Sequence, residues 1–228
     1  MQFAPLTPGN VITIRGEKGA RVVGARSPLA LKIADLMSRL VDLQRTVAYC
    51  ERLKIIKESD EAPQEIMDAL AEAALMSYGR AFSRDFRSSA VLSLNSIDTI
   101  PGSPREIHAH FIFLRNKFLA HSENKYEEVL VGLTLAEYPA KRSVTGIRIT
   151  HLSAFDFSGE NELVRLANAL LRDGRSEVER LSQALLAESE HLDPASVYAL
   201  EDLSYTMPPP EAAGVRRSRP NSESASKH

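Results

Sequence analysis

Four stretches of the chain carry apolar residues every three or four positions, a spacing that predicts amphipathic helices. The first helix has Ser27 as its cap and Pro28 at its first position, and it runs to about Lys57. The second opens after residues 59–63, and its inward stripe consists mostly of small side chains that allow close packing. The first part of the chain is therefore predicted to be mainly helical.

The third helix has the strongest start signal. Ser103 can accept from an amide of the first turn while Glu106 reaches back to the cap, and Pro104 suits the first helical position. This helix is predicted to begin at Pro104 and to end between residues 121 and 124. Its buried stripe is Ile107, Phe111, Leu114 and Phe118.

Strand-like segments precede and follow these helices. Residues 11–24 predict a small hairpin that turns at Gly16-Glu17-Lys18-Gly19, and residues 128–153 predict a second hairpin rich in Val, Ile, Leu and Thr. The fourth helix starts near residues 159–161 and is expected to be interrupted at Asp173-Gly174.

The predicted fold class is mainly α, a bundle of four long helices with a small β-hairpin insertion and a disordered C-terminal tail. Residues 1–26 form an N-terminal extension with the first hairpin, and residues 27–192 form the helical domain that contains the insertion at 128–153. Residues 193–228 are rich in proline, arginine and serine, which is typical of disorder.

Composition narrows the function classes. The formal net charge of -2 argues against coating nucleic acid by bulk charge, so any RNA contact needs a local basic patch. A single cysteine, Cys50, excludes a disulfide framework and a cysteine-rich zinc module. No apolar run reaches the roughly 20 residues that span a bilayer, and the N-terminus lacks a signal-peptide pattern, so we expect a cytoplasmic protein without membrane contact.

One segment, Arg115-Asn116-Lys117-Phe118-Leu119-Ala120-His121, combines a fixed cation, an amide and a titratable imidazole within about two helical turns. An arginine grips phosphate through a planar fork, whereas a histidine with an ordinary pKa of about 6.5 exchanges protons near neutrality. These groups could cleave RNA without a metal. Capping and surface pairing would explain the same residues without any chemistry.

Helix geometry separates the two key side chains. Arg115 and His121 lie about 9 Å apart along the axis and about 120° apart around it, so one copy does not form a compact site. Two copies around a twofold axis would place two arginines and two histidines at one cleft, which predicts a homodimer. His110, Leu114 and Lys117 share a face with His121, which adds His110 and Lys117 to the groove.

The segment resembles the HEPN superfamily, helical proteins marked by an arginine, a polar residue, a gap of four to six residues and a histidine. Arg115, Asn116 and His121 match this motif with a gap of four. The preceding Tyr78-Gly79-Arg80-Ala81-Phe82 makes the chain most similar to the bacterial HEPN branch associated with phage abortive infection and toxin–antitoxin loci.

The resemblance is specific over residues 104–122 and looser over 28–190. It implies a helical bundle that dimerises through the motif helices and cleaves RNA without a metal, the 2′-hydroxyl attacking the adjacent phosphodiester to leave a cyclic phosphate. It also implies roles for the residues that match. His121 would be the general acid or base, Arg115 the phosphate clamp, and Asn116 the group that orients His121 or the phosphate.

Several other residues have two interpretations. Arg80, Arg84 and Arg87 recur at helical spacing and would form either a basic stripe that holds an RNA backbone or a solvated face beside Asp85. Tyr78 would either hydrogen-bond into the site or belong to the core.

Neither a metal nor an organic cofactor is expected. His108 and His110 point to different sides of a helix and have no third ligand at a convincing spacing. The chain also contains no glycine-rich phosphate loop of the Walker or dinucleotide type.

The leading hypothesis is an RNA-cleaving toxin or defence protein that an antitoxin or another regulatory protein restrains. The main alternative is a non-catalytic HEPN module, in which Arg115 and His121 hold the dimer or bind a nucleotide. An orphan structural protein is the third interpretation.

Overall fold

The computed structural model describes residues 11–25, 27–59, 63–83, 89–116, 127–135, 144–153, 157–206, 208–209 and 211. Over these residues the chain is mainly helical, with small two-stranded sheets. The helices are α1 (Pro28–Lys57), α2 (Gln64–Ala81), α3 (Pro104–Leu114), α4 (Glu160–Glu190) and α5 (Pro194–Tyr198). The strands are β1 (Val11–Thr13), β2 (Glu127–Leu135), β3 (Val144–Ser153) and β4 (Ser204–Thr206).

Helix α1 and the start of α2 agree with the sequence prediction, whereas α2 ends at Ala81, before the Arg84 and Arg87 positions that the helical pattern included. The Ser27 hydroxyl accepts a hydrogen bond from the Ala30 amide at 3.1 Å, so the predicted cap is confirmed. Helix α1 ends at Lys57 and α2 starts at Gln64. None of the described helices is both long enough and apolar enough to cross a membrane.

Helix α3 starts at Pro104 as predicted, but its cap differs from the expected capping box. Ser103 occupies the cap position without a side-chain hydrogen bond to the helix. After Leu114 the chain continues for Arg115 and Asn116 as a wider, π-type turn. The predicted end of this helix lies outside the described residues.

Helix α4 corrects the expected interruption at Asp173-Gly174, because the helix is continuous from Glu160 to Glu190. Gly174 instead serves close packing: a Cβ there would lie 2.5 Å from Cδ2 of Leu40 and 3.5 Å from Cδ2 of Leu92. The glycine is needed for an approach between elements, which a propensity scale does not register.

The described residues divide into two compact units, and α1 and α4 each contribute to both. The larger unit takes its described residues from 38–83 and 92–175. Its core is mainly aliphatic, and the apolar stripes of the helices supply it, as their pattern predicts. The core side chains include Leu40, Leu43, Leu53, Leu75, Ile97, Leu163, Leu166 and Leu170.

A partly buried ion pair joins the end of α1 to the start of α4 inside the larger unit. Lys57 Nζ donates to Glu160 Oε1 at 3.1 Å and to the Phe157 carbonyl at 2.8 Å. Glu160 is only 9% exposed, and its Oε2 has no hydrogen-bond partner among the described residues. The pair therefore connects the last residue of α1 with the first residue of α4.

In the second unit, the strand pairing differs from the N-terminal hairpin that the sequence predicts. Strand β1 pairs antiparallel with β4, so that Val11 faces Thr206. Val22 likewise accepts from the Leu203 amide at 2.8 Å, and Val23 bridges Asp202. The segment does turn back at Arg15 and Arg21, but its strand partner comes from the far end of the chain.

The prediction that residues 193–228 form a disordered tail is wrong for residues 194–206, which contain α5 and β4. Asp193 caps α5 by accepting from the Ser196 amide at 3.0 Å. Arg21 donates to Asp202 at 2.6 Å and to the carbonyls of Tyr198 and Leu200 at 2.8 and 2.7 Å. These long-range bonds order a segment whose own composition carries no helical or strand periodicity.

Strands β2 and β3 confirm the predicted hairpin insertion at residues 128–153. They pair antiparallel, with Val131 opposite Ile149 and Leu133 opposite Ile147. These four side chains lie on one face of the hairpin and are 63–70% exposed.

Candidate functional site

Arg115 lies against Gly79 of α2, inside the larger unit. A Cβ at position 79 would lie 2.7 Å from Cγ, 2.8 Å from Cδ and 3.0 Å from Nε of Arg115. The stem of the Arg115 side chain, up to Nε, therefore occupies the space that a side chain at position 79 would fill. This contact sets the direction in which Arg115 leaves the end of α3.

The guanidinium of Arg115 is largely unpaired. Its Nη1 donates to Oδ1 of Asn116 at 2.8 Å, and its Nε is buried without a hydrogen-bond partner among the described residues. No carboxylate in the described part of the chain forms an ion pair with it. A charged arginine with unused donors is suited to an anion such as a phosphate.

Asn116 is hydrogen-bonded to Arg115. Its amide oxygen accepts from Nη1, which leaves the amide nitrogen as a donor beside the guanidinium. The two adjacent motif residues present N–H groups from one turn of the chain.

Tyr78 lies in the core instead of reaching freely into a groove. It is fully buried, and its hydroxyl lies 2.8 Å from Nδ1 of His108 on α3. Burial raises the pKa of the Tyr78 hydroxyl well above its ordinary value. Tyr78 thus stays protonated and joins α2 to α3.

Aromatic rings surround this hydrogen bond. The Phe82 ring lies 4.6 Å from the His108 ring and 5.1 Å from the Tyr78 ring, and Phe111 packs edge-on against Tyr78 at 6.2 Å. Burial, and to a lesser extent the nearby Arg105, lower the pKa of His108 below its ordinary value. His108 is therefore a neutral imidazole at pH 7.

Arg80 is held by a buried carboxylate. Its Nη2 lies 3.5 Å from Oδ1 of Asp42, whose side chain is 2% exposed, while the Arg80 side chain is 49% exposed. Arg45 also approaches the same Asp42 oxygen, at 3.8 Å. Because Arg80 already has a carboxylate partner inside the unit, it offers an anion less than Arg115 does.

The other predicted site residues are placed apart or lie outside the described residues. His110 is exposed, and the centroid of its ring lies 5.9 Å from that of Phe111. On α3 it stands about 140° around the axis from Arg115. Arg84, Lys117 and His121 fall outside the described residues, so the structure brings together Arg115, Asn116 and the Tyr78-Gly79 pair.

Sequence reasoning missed the roles of Gly79 and His108. A signal for His108 exists, because it precedes Arg115 by seven residues and so lies on nearly the same face of the helix. Gly79 stands within a helical pattern where alanine would be favoured, which marks a close approach. Its partner, however, cannot be read from the local sequence.

The described residues contain no group of three histidine, cysteine, aspartate or glutamate side chains that could hold a metal ion. What the arrangement offers is hydrogen-bond donation: a fixed cation and an amide at Arg115 and Asn116, and an imidazole about two turns earlier at His108. Such donors can bind a phosphodiester and stabilise charge that develops on it.

Comparison of the chain with protein-family profiles, curated proteins and solved structures gave no match.

Proposed function

We propose that this chain is a metal-independent endoribonuclease of the HEPN type, acting as a toxin or phage-defence component. The observation that carries the proposal is the state of Arg115, a guanidinium held over Gly79 with a buried, unpaired Nε and no carboxylate partner among the described residues. Leaving a buried donor unpaired costs stability, so we expect an acceptor from outside the described residues, such as a phosphate oxygen, at this guanidinium.

The proposed roles follow the chemistry of the groups. Arg115 binds the scissile phosphate and offsets the negative charge that grows on it, while Asn116 orients Arg115 through its amide oxygen. His121 transfers the proton as the 2′-hydroxyl attacks the phosphorus and the 5′-oxygen leaves. The products would be a 2′,3′-cyclic phosphate and a 5′-hydroxyl end.

A homodimer of HEPN-like helical bundles belongs to this proposal. On an ideal α-helix Arg115 and His121 would diverge by about 120°, so in this proposal a groove with both groups near one phosphate requires a second copy. An antitoxin or another regulatory protein would then restrain the nuclease by covering the groove.

The test is cleavage of a mixed pool of transfer and messenger RNA in the presence of a chelator, followed by analysis of the product ends. We expect cyclic phosphates from the wild type, and loss of these products in Arg115→Ala and in His121→Ala. Arg180→Ala, which removes an exposed arginine paired with Glu177, serves as the matched control. Equal cleavage by all four proteins would overturn the proposal.

The hydrogen bond between Arg115 and Asn116 also supports a second candidate, a non-catalytic HEPN module that binds a nucleotide or holds the dimer. This candidate predicts no cleavage under any condition and loss of dimer in Arg115→Ala. A variant that remains dimeric but no longer slows cell growth would count against it.

A further inference from the structure

The hydrogen bond between Tyr78 and His108 fixes where the imidazole carries its proton. The Tyr78 hydroxyl is fully buried, and His108 Nδ1, at 2.8 Å, is its partner within the described part of the chain. A buried hydroxyl hydrogen without an acceptor would be costly. The hydroxyl therefore donates to Nδ1, and Nδ1 is the unprotonated nitrogen.

The proton of the neutral ring then resides on Nε2. Within the described residues, Nε2 has no hydrogen-bond partner, and it is not among the fully buried unpaired atoms of this part of the chain. Protonating Nδ1 as well would leave the Tyr78 hydrogen without an acceptor. His108 is thus held as a neutral ring that presents one N–H donor.

This donor lies on the same side of α3 as Arg115. Seven residues separate them, which corresponds to about 10.5 Å along the axis and about 20° around it. The adjacent residues Tyr78 and Gly79 of α2 contact one group each: Tyr78 bonds to His108 and Gly79 receives the stem of Arg115. One dipeptide therefore positions both donors.

We propose that His108 is a substrate-binding residue, whose Nε2–H donates to an acceptor on the RNA strand beside the phosphate that Arg115 holds. The inference rests on the proposed function and extends it, since it assigns a contact to a neighbouring nucleotide. Because the donor is neutral, it adds a hydrogen bond without releasing a counterion. Removing the His108 donor should therefore leave the salt dependence of RNA binding unchanged, whereas removing Arg115 should reduce it.

The experiment measures binding of a fluorescent, mixed-sequence single-stranded RNA with 2′-O-methyl groups, which has no 2′-hydroxyl nucleophile and stays intact. Anisotropy is recorded over a series of salt concentrations for the wild type, His108→Ala, His108→Gln and Arg115→Ala. His191→Ala removes an exposed histidine of the second unit and is the control.

We expect His108→Ala to weaken binding by roughly 3- to 10-fold, the range for one hydrogen bond, with the salt slope unchanged. Arg115→Ala should weaken binding and reduce the slope by about 1. His108→Gln restores an N–H donor near the position of Nε2 and should recover most of the affinity. His191→Ala should bind as the wild type does.

The outcomes separate the two proposals. If Arg115→Ala weakens binding and His108→Ala does not, this inference is overturned and the proposed function stands. If the wild type does not bind RNA, both are overturned. Nitrogen-15 spectra of the histidine rings add a readout that needs no RNA: we expect Nε2–H at His108, and an Nδ1–H ring would refute the assignment even if His108→Ala fails to fold.

Discussion

Gly79 and Arg115 are in direct contact: a Cβ at position 79 would lie 2.7 Å from Cγ of Arg115. A contact this short requires one partner to move. Because the contacted atoms belong to the stem of the arginine, the stem would be displaced before the helix backbone. The position of the candidate phosphate clamp therefore depends on the absence of a side chain one helix away.

Gly79→Ala should separate activity from stability. Alanine favours the helix by up to about 1 kcal/mol over glycine, so the free energy of unfolding should change by no more than about that amount. The displaced Arg115 should lower RNA cleavage by about 10- to 100-fold, as small misplacements of catalytic groups do. Cleavage rates and urea unfolding of the same samples measure both effects.

Gly132→Ala is the matched control, because a Cβ at position 132 of β2 would meet nothing within 4 Å. This variant should cleave at the wild-type rate. Full activity in Gly79→Ala would show that the contact does not position Arg115.

Gly174→Ala should destabilise the protein despite the higher helix propensity of alanine. The new Cβ would lie 2.5 Å from Cδ2 of Leu40, whose side chain is 2% exposed, so the core has little room to adjust. Overpacking costs about 1–3 kcal/mol, against a gain in propensity of up to about 1 kcal/mol. Chemical unfolding should show the net loss, and Leu40→Val in the same chain should recover part of it. Additive effects of the two changes would argue against the contact.

Cys50 should be unreactive in the folded protein. Burial, with a smaller effect from Glu160, raises the pKa of its thiol to about 12, and the side chain is 0% exposed. Since the thiolate is the nucleophile, a disulfide reagent at pH 8 should label the native chain at least about 100-fold more slowly than a free thiol. Denatured protein should give one label per chain, and rapid native labelling would contradict the buried position.

His108 should contribute to the pH dependence of stability. Its pKa is lowered by burial and then by Arg105, so the unfolded chain binds this proton more readily than the folded one. The stability that the neutral His108 ring contributes is fully present above the unfolded pKa of about 6.5. It is lost as the pH falls through the lower pKa of the folded state. The free energy of unfolding should therefore drop more between pH 7 and 5 in the wild type than in His108→Gln, which does not titrate. Parallel profiles would refute this account of the ring.

Much of the helical fold could be predicted because its signals are local. Apolar spacing indicated α1 to α4, and the Ser27 cap and the start of α3 at Pro104 were also visible in the sequence. The pairing of β1 with β4 was not predictable, since the two strands lie at opposite ends of the chain, Val11 opposite Thr206. Likewise, nothing local showed that Leu40 makes Gly174 a packing residue rather than a helix breaker.

The candidate site, too, could be predicted from the sequence only in part. Arg115 and Asn116 were chosen for their chemistry, and they do bond to each other. Tyr78 was left between a site role and a core role, and its burial agrees with the core role, while its hydroxyl bonds to His108. The ion pair between Arg80 and Asp42 could not be seen in the sequence, because the carboxylate comes from a buried position on α1.

The central claim is that Arg115 holds a phosphodiester while RNA is cut. The most direct measurement is the cleavage rate of one defined RNA in the presence of chelator by the wild type, Arg115→Ala and the control Arg180→Ala. Removal of a donor that stabilises transition-state charge costs about 100- to 1,000-fold in rate, so Arg115→Ala should lose at least that much while Arg180→Ala stays within about 3-fold of the wild type. Wild-type cleavage by Arg115→Ala would contradict the account.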